Sequence, residues 1–271
     1  MKRLYLAGLL LFASTIKAQE FNFVDSVFCP LICDPIEDQR EGFLIDILRD
    51  ALAESGHTLN FQIVPYKRAL NIVSSGEADG LPAIYRTDAP DLLVGQSTIS
   101  LGRNQFFIMS DTEWRFDGQN NWDEIRIAVV RGYTFGHTEF DAYLKSAEAN
   151  RSDKVTFMSG SNTYERMVKM LISGRVDAIL DDSAFIYYSL FKLLKDNNAM
   201  SSDDMIITGG VISEGENVVA YSPANPEVSK LLKSIIDPFV SELYRTGRIN
   251  DYVKHYGLTI KDGVTLPIGH Y

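Results

Sequence analysis

A six-residue phrase occurs twice in this chain, as Ser75-Gly76-Glu77-Ala78-Asp79-Gly80 and as Ser173-Gly174-Arg175-Val176-Asp177-Ala178. Apolar residues at helical spacing precede each copy: Leu70 and Val73 before the first, Met167, Met170 and Leu171 before the second. A short apolar run follows each. Both copies therefore read as helix-to-strand joints, with the Gly at a left-handed C-cap and the residues after the Asp entering a buried parallel strand. Two such joints predict two similar α/β lobes, and a cleft between lobes is a favoured place for a small ligand.

The order of elements supports this duplication. Strands are predicted at Phe21 to Val24, Leu59 to Val64 and Gly80 to Ile84. Between them lie a helix with the apolar face Leu44, Ile47, Leu48, Ala51 and Leu52, ended by Gly56, and a second helix from Lys67 to Ser74. That is a βαβαβ unit, which implies a parallel sheet. The pattern restarts with strands at Arg126 to Val130, Val155 to Phe157 and Asp177 to Asp181. Its helices are expected to begin near Thr134, to run from a Ser161 or Asn162 cap to Ile172, and to span about Ser183 to Lys195. Strands at Gln105 to Ser110 and Asn217 to Tyr221 would cross between the lobes. Helices near Glu227 to Tyr244 and Ile249 to His255 would return to the first. The expected division is residues 19–107 and 219–271 for the first lobe and 108–218 for the second, with two hinge strands that permit closure on a ligand.

Lys2 and Arg3, the apolar run Leu4 to Ala13, and Ala18 before Gln19 have the pattern of a cleaved secretory signal over residues 1–18. The run is short of the roughly 20 apolar residues of a transmembrane helix. With no Cys at the start of the mature chain, no lipid anchor is expected. Loss of Lys2, Arg3 and Lys17 takes the formal charge from −10 to −13. A surface of that sign disfavours nucleic acid and anionic membranes. Cys29 and Cys33, alone in the chain, are expected to pair in an oxidising compartment, closing a small loop worth about 2 kcal/mol at most. The four His are remote from them in sequence, and no metal or other cofactor is expected.

Taken in order, Gly42-Phe43-Leu44-Ile45-Asp46-Ile47 with Gly56, the joint at 75–79, Arg131-Gly132-Tyr133-Thr134, Gly174-Arg175-Val176-Asp177-Ala178 and Tyr244-Arg245-Thr246-Gly247 resemble the bacterial extracellular solute-binding proteins of family 3. Tyr66-Lys67-Arg68 and the Cys-Pro loop resemble one branch of that family. The resemblance implies a type II periplasmic binding protein fold, a periplasmic monomer, and capture of an amino acid or related carboxylate for an ABC transporter permease.

It also implies a clamp: an Arg of the first lobe on the carboxylate, an Asp of the second on the amino group. Arg offers a planar fork to a carboxylate, and a closed cleft strengthens both contacts. Asp182 is the better match for the Asp, with Asp181 on the opposite side of the strand and a helix-capping role as the competing reading. Arg86 is the first choice for the Arg, although the segment after the third strand is shortened; Arg68 is second and Arg103 third. Thr134 and Gly132 match positions where a helix start approaches the carboxylate. Phe28, Tyr66, Tyr85 and Tyr133 are aromatic candidates for stacking on the ligand. The strand Leu81-Pro82-Ala83-Ile84-Tyr85 lacks the small hydroxyl residues that amino-acid binders of this family carry there.

Two other readings stand beside binding for import. Cyclohexadienyl dehydratase shares the fold and needs a carboxylic acid as proton donor, for which Glu165, Asp181 and Asp182 are candidates. No nucleophile elbow, phosphate loop or metal-protease motif is present, and catalysis is not expected. The third reading is a sensor protein that presents its ligand to a membrane receptor.

Overall fold

The computed structural model describes residues 18–88, 91–160, 162–196, 206–261 and 264–268, so all but the last residue of the expected signal segment 1–18, and the candidate cap Ser161, lie outside the described residues. In chain order the elements are β1 (Glu20–Asp25), α1 (Pro35–Asp38), α2 (Phe43–Glu54), β2 (Thr58–Ile63), α3 (Tyr66–Ser75), β3 (Gly80–Tyr85), β4 (Leu93–Val94) and β5 (Ser100–Met109). They continue with β6 (Ile127–Val130), α4 (Thr138–Ala149), β7 (Val155–Met158), α5 (Thr163–Ile172), β8 (Ala178–Asp182), α6 (Ser183–Asp196) and β9 (Ile206–Tyr221). Last come α7 (Pro226–Thr246), α8 (Ile249–Val253), β10 (Leu258–Lys261) and β11 (Val264–Pro267).

The strands follow one path, β2-β1-β3-β9-β5-β8-β6-β7. Parallel pairs β1/β2 and β1/β3 make the first lobe, and parallel pairs β6/β7 and β6/β8 make the second. Between them β5 and β9 pair antiparallel from Ser100↔Asn217 to Met109↔Ile206; β9 also pairs with β3, and β5 with β8. These are the crossing strands expected from the sequence, but each begins well ahead of its predicted start. Polar residues of β5 (Arg103, Asn104) and glycines of β9 (Gly209, Gly210, Gly215) interrupt the apolar pattern by which a strand is recognised, while the ladder hydrogen bonds continue through them.

Strand alternation supplies a core on each face of each sheet. In the second lobe Phe106, Ile108, Ile127 and Val129 pack with Trp122, Phe140 and Leu144 of one core, whereas Phe107, Ala128 and Ile179 face Met167, Leu171 and Ile186 in the other. In the first lobe Phe21 and Phe23 join Leu44, Leu48, Leu232 and Leu243, and Val24 turns to Val73, Leu81 and Val218 beneath α3. Helix α6 serves both lobes: Ile186 and Leu190 enter a second-lobe core, while Ala184 and Tyr188 are buried in that of the first. The β10/β11 hairpin was not visible in the sequence; it joins the hinge through Val264↔Leu101.

The duplicated phrase does the same work twice. Gly76 (φ +85°) and Gly174 (φ +67°) both take the left-handed conformation that ends their helices, where a Cβ would be strained. In the first copy Asp79 donates its N–H to Asn22 O and accepts from Asn22 N at 2.8 Å through its carboxylate. In the second, Asp177 donates to Arg126 O and accepts from Arg126 N at 2.8 Å. Each Asp thus docks its joint onto the start of the first strand of its own lobe. Charge-assisted bonds of this kind contribute about 1.5–3 kcal/mol where buried and less near solvent. Asp79→Ala and Asp177→Ala are each expected to lower stability by about 1–2 kcal/mol, a melting-temperature drop of a few degrees in scanning calorimetry; unchanged melting for both would deny the joints this role.

Candidate functional site

The parallel strands of both lobes end towards each other, the place where open α/β sheets present residues to ligands. Between the strand ends lies a cavity of about 460 Å³. Its first-lobe wall is the segment after β1, with Val27, Phe28, Cys29 and, near or on α1, Asp34, Glu37 and Asp38. The second-lobe wall holds Val130, Tyr133, Tyr164 and Glu165, and α6 adds Tyr188 and Lys192. The Cys29–Cys33 disulfide, with its Cα atoms 4.4 Å apart, holds the first wall as a tight loop, reinforced by the Phe28 and Ile32 backbone bridge.

The walls are latched together. Lys192 Nζ of α6 lies 3.1 Å from Asp38 and 2.9 Å from Glu165, and the Tyr188 hydroxyl donates to Asp38 at 3.3 Å. The contact with Asp38 crosses from one lobe to the other.

Two carboxylates near the strand ends are incompletely satisfied. Asp25 closes β1; one oxygen accepts from Ser26 N at 2.8 Å, and the other, Oδ2, is buried without a partner. Asp181 of β8 has one oxygen on Asp182 N at 2.8 Å, and its Oδ2 is likewise buried and unpartnered. Both residues are almost wholly inaccessible, at 0% and 2% exposure. Burial pushes both pKa values well above the ordinary carboxylate range, and for Asp181 the adjacent Asp182 charge adds to the effect. Tyr66 lies within electrostatic reach of Asp25 and of Tyr133; Tyr133 and Tyr164 are bonded to each other and feel Asp181.

The residues singled out from sequence are placed as follows. Asp182 takes the capping role: it accepts from Ala184 N at 2.8 Å at the start of α6 and from Arg103 N at 3.0 Å, so both oxygens are occupied. Its pKa is pushed up to about 6 by burial, against these hydrogen bonds. The unpartnered oxygen belongs instead to its neighbour Asp181. Arg86, in the 3-10 turn after β3, holds Glu216 at 2.7 Å and donates to the carbonyls of Gly95 and Gln96, so its guanidinium is engaged within its own surroundings. Arg103 is paired with Glu214 at 2.6 Å. Arg68 is exposed on the first turn of α3.

Thr134 is not at a helix start. Helix α4 begins four residues later, capped by His137 Nδ1 accepting from Phe140 N at 3.3 Å. Asp141 accepts from Phe135 N, and Gly136 adopts φ +68°, which together hold residues 131–137 as a loop. The helix-end argument for an anion at Thr134 therefore falls away.

Phe28 and Tyr133 line the cavity, and Tyr66 lies within electrostatic reach of Asp25. Tyr85 is a hinge residue rather than a wall: its ring lies against Gly102 of β5 and Gly215 of β9, where an added methyl on either glycine would collide with it. It is also bonded to Asn104 and Asp182. Asp25, Asp38, Tyr164 and Lys192 were not found by sequence reading. Asp25 had a usable signal, a carboxylate directly after the apolar strand Phe21 to Val24. So did Asp181, since Asp182 stands at the favoured cap position before the helix and leaves its neighbour free.

With this geometry in place, comparison with solved structures identifies the fold. The second substrate-binding domain of Lactococcus lactis GlnP, in its open conformation, superposes with TM-score 0.59 at 21% identity, covering 89% of this chain and 97% of that one. A histidine-kinase sensor domain similar to periplasmic binding proteins gives TM-score 0.59 at 14% identity, with 89% and 96% covered. An ancestral amino-acid-binding protein, a precursor of cyclohexadienyl dehydratase, gives 0.56 at 14% identity, with 88% and 95% covered. No family model and no curated protein matches the chain. The fold is that of the periplasmic binding proteins, in the two-lobed α/β form that the sequence resemblance implied. No helix among the described residues is long and apolar enough to cross a membrane.

The buried aspartates have a consequence for stability. A carboxyl with a raised pKa in the folded state binds its proton more tightly there than in the unfolded chain. Stability therefore falls as pH rises from about 4 through about 6 for Asp182, and the raised pKa values of Asp25 and Asp181 act in the same direction. Asp181→Asn, which keeps an acceptor for Asp182 N, is expected to flatten this slope and raise the ligand-free melting temperature at pH 8 by a few degrees. Melting curves between pH 4 and 8 test it; an unchanged slope would mean that Asp181 ionises freely.

Proposed function

We propose that this protein is a periplasmic solute-binding protein that closes its two lobes over a small amine-bearing solute and delivers it to an ABC importer. The observation that carries the reading is the unpartnered oxygen of Asp181, buried at the end of a second-lobe strand and within electrostatic reach of Tyr133 and Tyr164, which line the interlobe cavity. A buried carboxylate without a partner is costly, and a cationic group is the natural complement. The hinge strands and the Lys192 to Asp38 latch supply the closing motion and its end point. Among structural neighbours, GlnP and a putative amino acid ABC transporter of Streptococcus pneumoniae contribute substrate-binding domains to the comparison.

Arg86 has no part in this assignment, because its donors are occupied elsewhere. A thermal-shift screen of amino acids, amines, dicarboxylates and sugars identifies the solute, since a ligand at a hundred times its Kd adds about 2.7 kcal/mol of stability. For the solute so found, Asp181→Ala is expected to lose at least 100-fold in affinity, and Arg86→Ala to stay within about threefold, consistent with removal of one partner of a buried charge pair. The reverse pattern in titration calorimetry would overturn the assignment of Asp181.

One observation favours a second reading. Burial raises the pKa of Asp181, the direction that a general acid requires. Turnover of prephenate or arogenate abolished by Asp181→Asn would make the protein a dehydratase, whereas a solute recovered unchanged supports binding alone.

A further inference from the structure

The start of the folded chain is held by a histidine. One residue before β1, the backbone of Gln19 is bonded on both sides: its N–H donates to His57 Nδ1 at 3.2 Å, and its carbonyl accepts from Thr58 N at 3.0 Å. His57 is itself fixed. Its backbone N–H donates to Leu52 O at 2.9 Å, its ring stands edge-on to Phe21 with centroids 5.3 Å apart, and only 7% of the residue is exposed. The Gln19 side chain, by contrast, is exposed and has no hydrogen-bond partner among the described residues.

Gln19 follows the small residue Ala18 directly, at the boundary expected for removal of residues 1–18. In the uncut chain its nitrogen is a peptide amide and no nucleophile. Once the leader is gone, the same nitrogen is an α-amine that stands against the lone pair of an imidazole. A glutamine with a free α-amine also carries its own electrophile, because attack of that nitrogen on the side-chain carbon Cδ closes a five-membered lactam. The attack needs an acceptor for the amine's proton, and an imidazole within hydrogen-bond reach is a general base of the common kind.

We propose that Gln19 is a modification site: after removal of the leader it cyclises to pyroglutamate, with His57 as the base. The bond from the α-nitrogen to Cδ forms and the bond from Cδ to Nε2 of Gln19 breaks. The proton that His57 Nδ1 takes from the α-nitrogen leaves with Nε2 as ammonia, so no oxidant, reductant or further reactant is required. The product suits its setting. The lactam nitrogen keeps one N–H for His57, whereas an α-ammonium would set a full positive charge against a buried ring, where charge is disfavoured. This inference rests on the expected leader cleavage and goes beyond the solute-binding reading.

Intact-mass spectrometry of the protein exported with its own leader tests the site, and a time course tests the base. The purified protein is expected to have the mass of residues 19–271 less about 17 Da, one ammonia. For the rate, Gln19 is freed in vitro by protease release from an N-terminal fusion. Loss of ammonia is then followed beside a synthetic peptide of residues 19–24, which has the same glutamine and no histidine. The folded protein is expected to cyclise roughly tenfold faster than the peptide or more. His57→Phe, which keeps a ring against Phe21, is expected to fall to the peptide's rate. A mature chain that begins at Gln19 with its full mass overturns the proposal, as does one that begins at another residue. Cyclisation of the folded protein at the peptide's rate overturns the assignment of His57. The peptide comparison does not depend on the variant folding, and each of these results leaves the solute-binding reading standing.

Discussion

The antiparallel ladder between β5 and β9 is the constraint on which the rest of this molecule depends. It runs from Ser100↔Asn217 to Met109↔Ile206 and continues through β3 on one side and β8 on the other, so both lobes hang from one sheet. Backbone hydrogen bonds fix the register of that ladder but leave twist and tilt comparatively free. Tyr85 stands where the two lobes meet, with its ring on Gly102 and Gly215 and its hydroxyl bonded to Asp182, the residue that caps α6. First-lobe strand, hinge and second-lobe helix are thereby in contact through one side chain.

The same arrangement explains where charge has been buried. Parallel strands in both lobes end at the cleft, and each lobe places an aspartate there with one oxygen unbonded. Within a core such groups would be neutralised by a neighbour or replaced by apolar residues. Here Asp182, a single residue further along β8, shows the satisfied alternative: both oxygens take backbone N–H groups, and it serves the fold. Asp25 and Asp181 each keep one oxygen unbonded, and their raised pKa values make the fold less stable as pH rises.

Much of this was legible in order along the chain. The duplicated Ser-Gly-x-x-Asp phrase predicted two lobes, and both copies proved to be left-handed helix ends pinned to a first strand by their Asp. Helices α2, α3, α5 and α7 were read from apolar spacing, since one-sided burial leaves a periodic record. The hinge strands were found only where their apolar residues lie, because glycine and polar positions leave no such record. The late start of α4 depended on Asp141 reaching back to Phe135 N, a side-chain choice that competes with the helix and is not apparent from the residues alone.

What the sequence by itself determined is the duplicated strand and helix units, their order and the disulfide loop, because each rests on local spacing and on residues near one another in the chain. Which carboxylate stays free and which caps a helix, which arginines are occupied by Glu214 and Glu216, and that α6 latches Lys192 onto Asp38 across the cleft were decided only by the tertiary structure. The physical reason is that satisfaction of a charge is a pairwise property of groups brought together by folding, and those pairs join residues separated by most of a lobe.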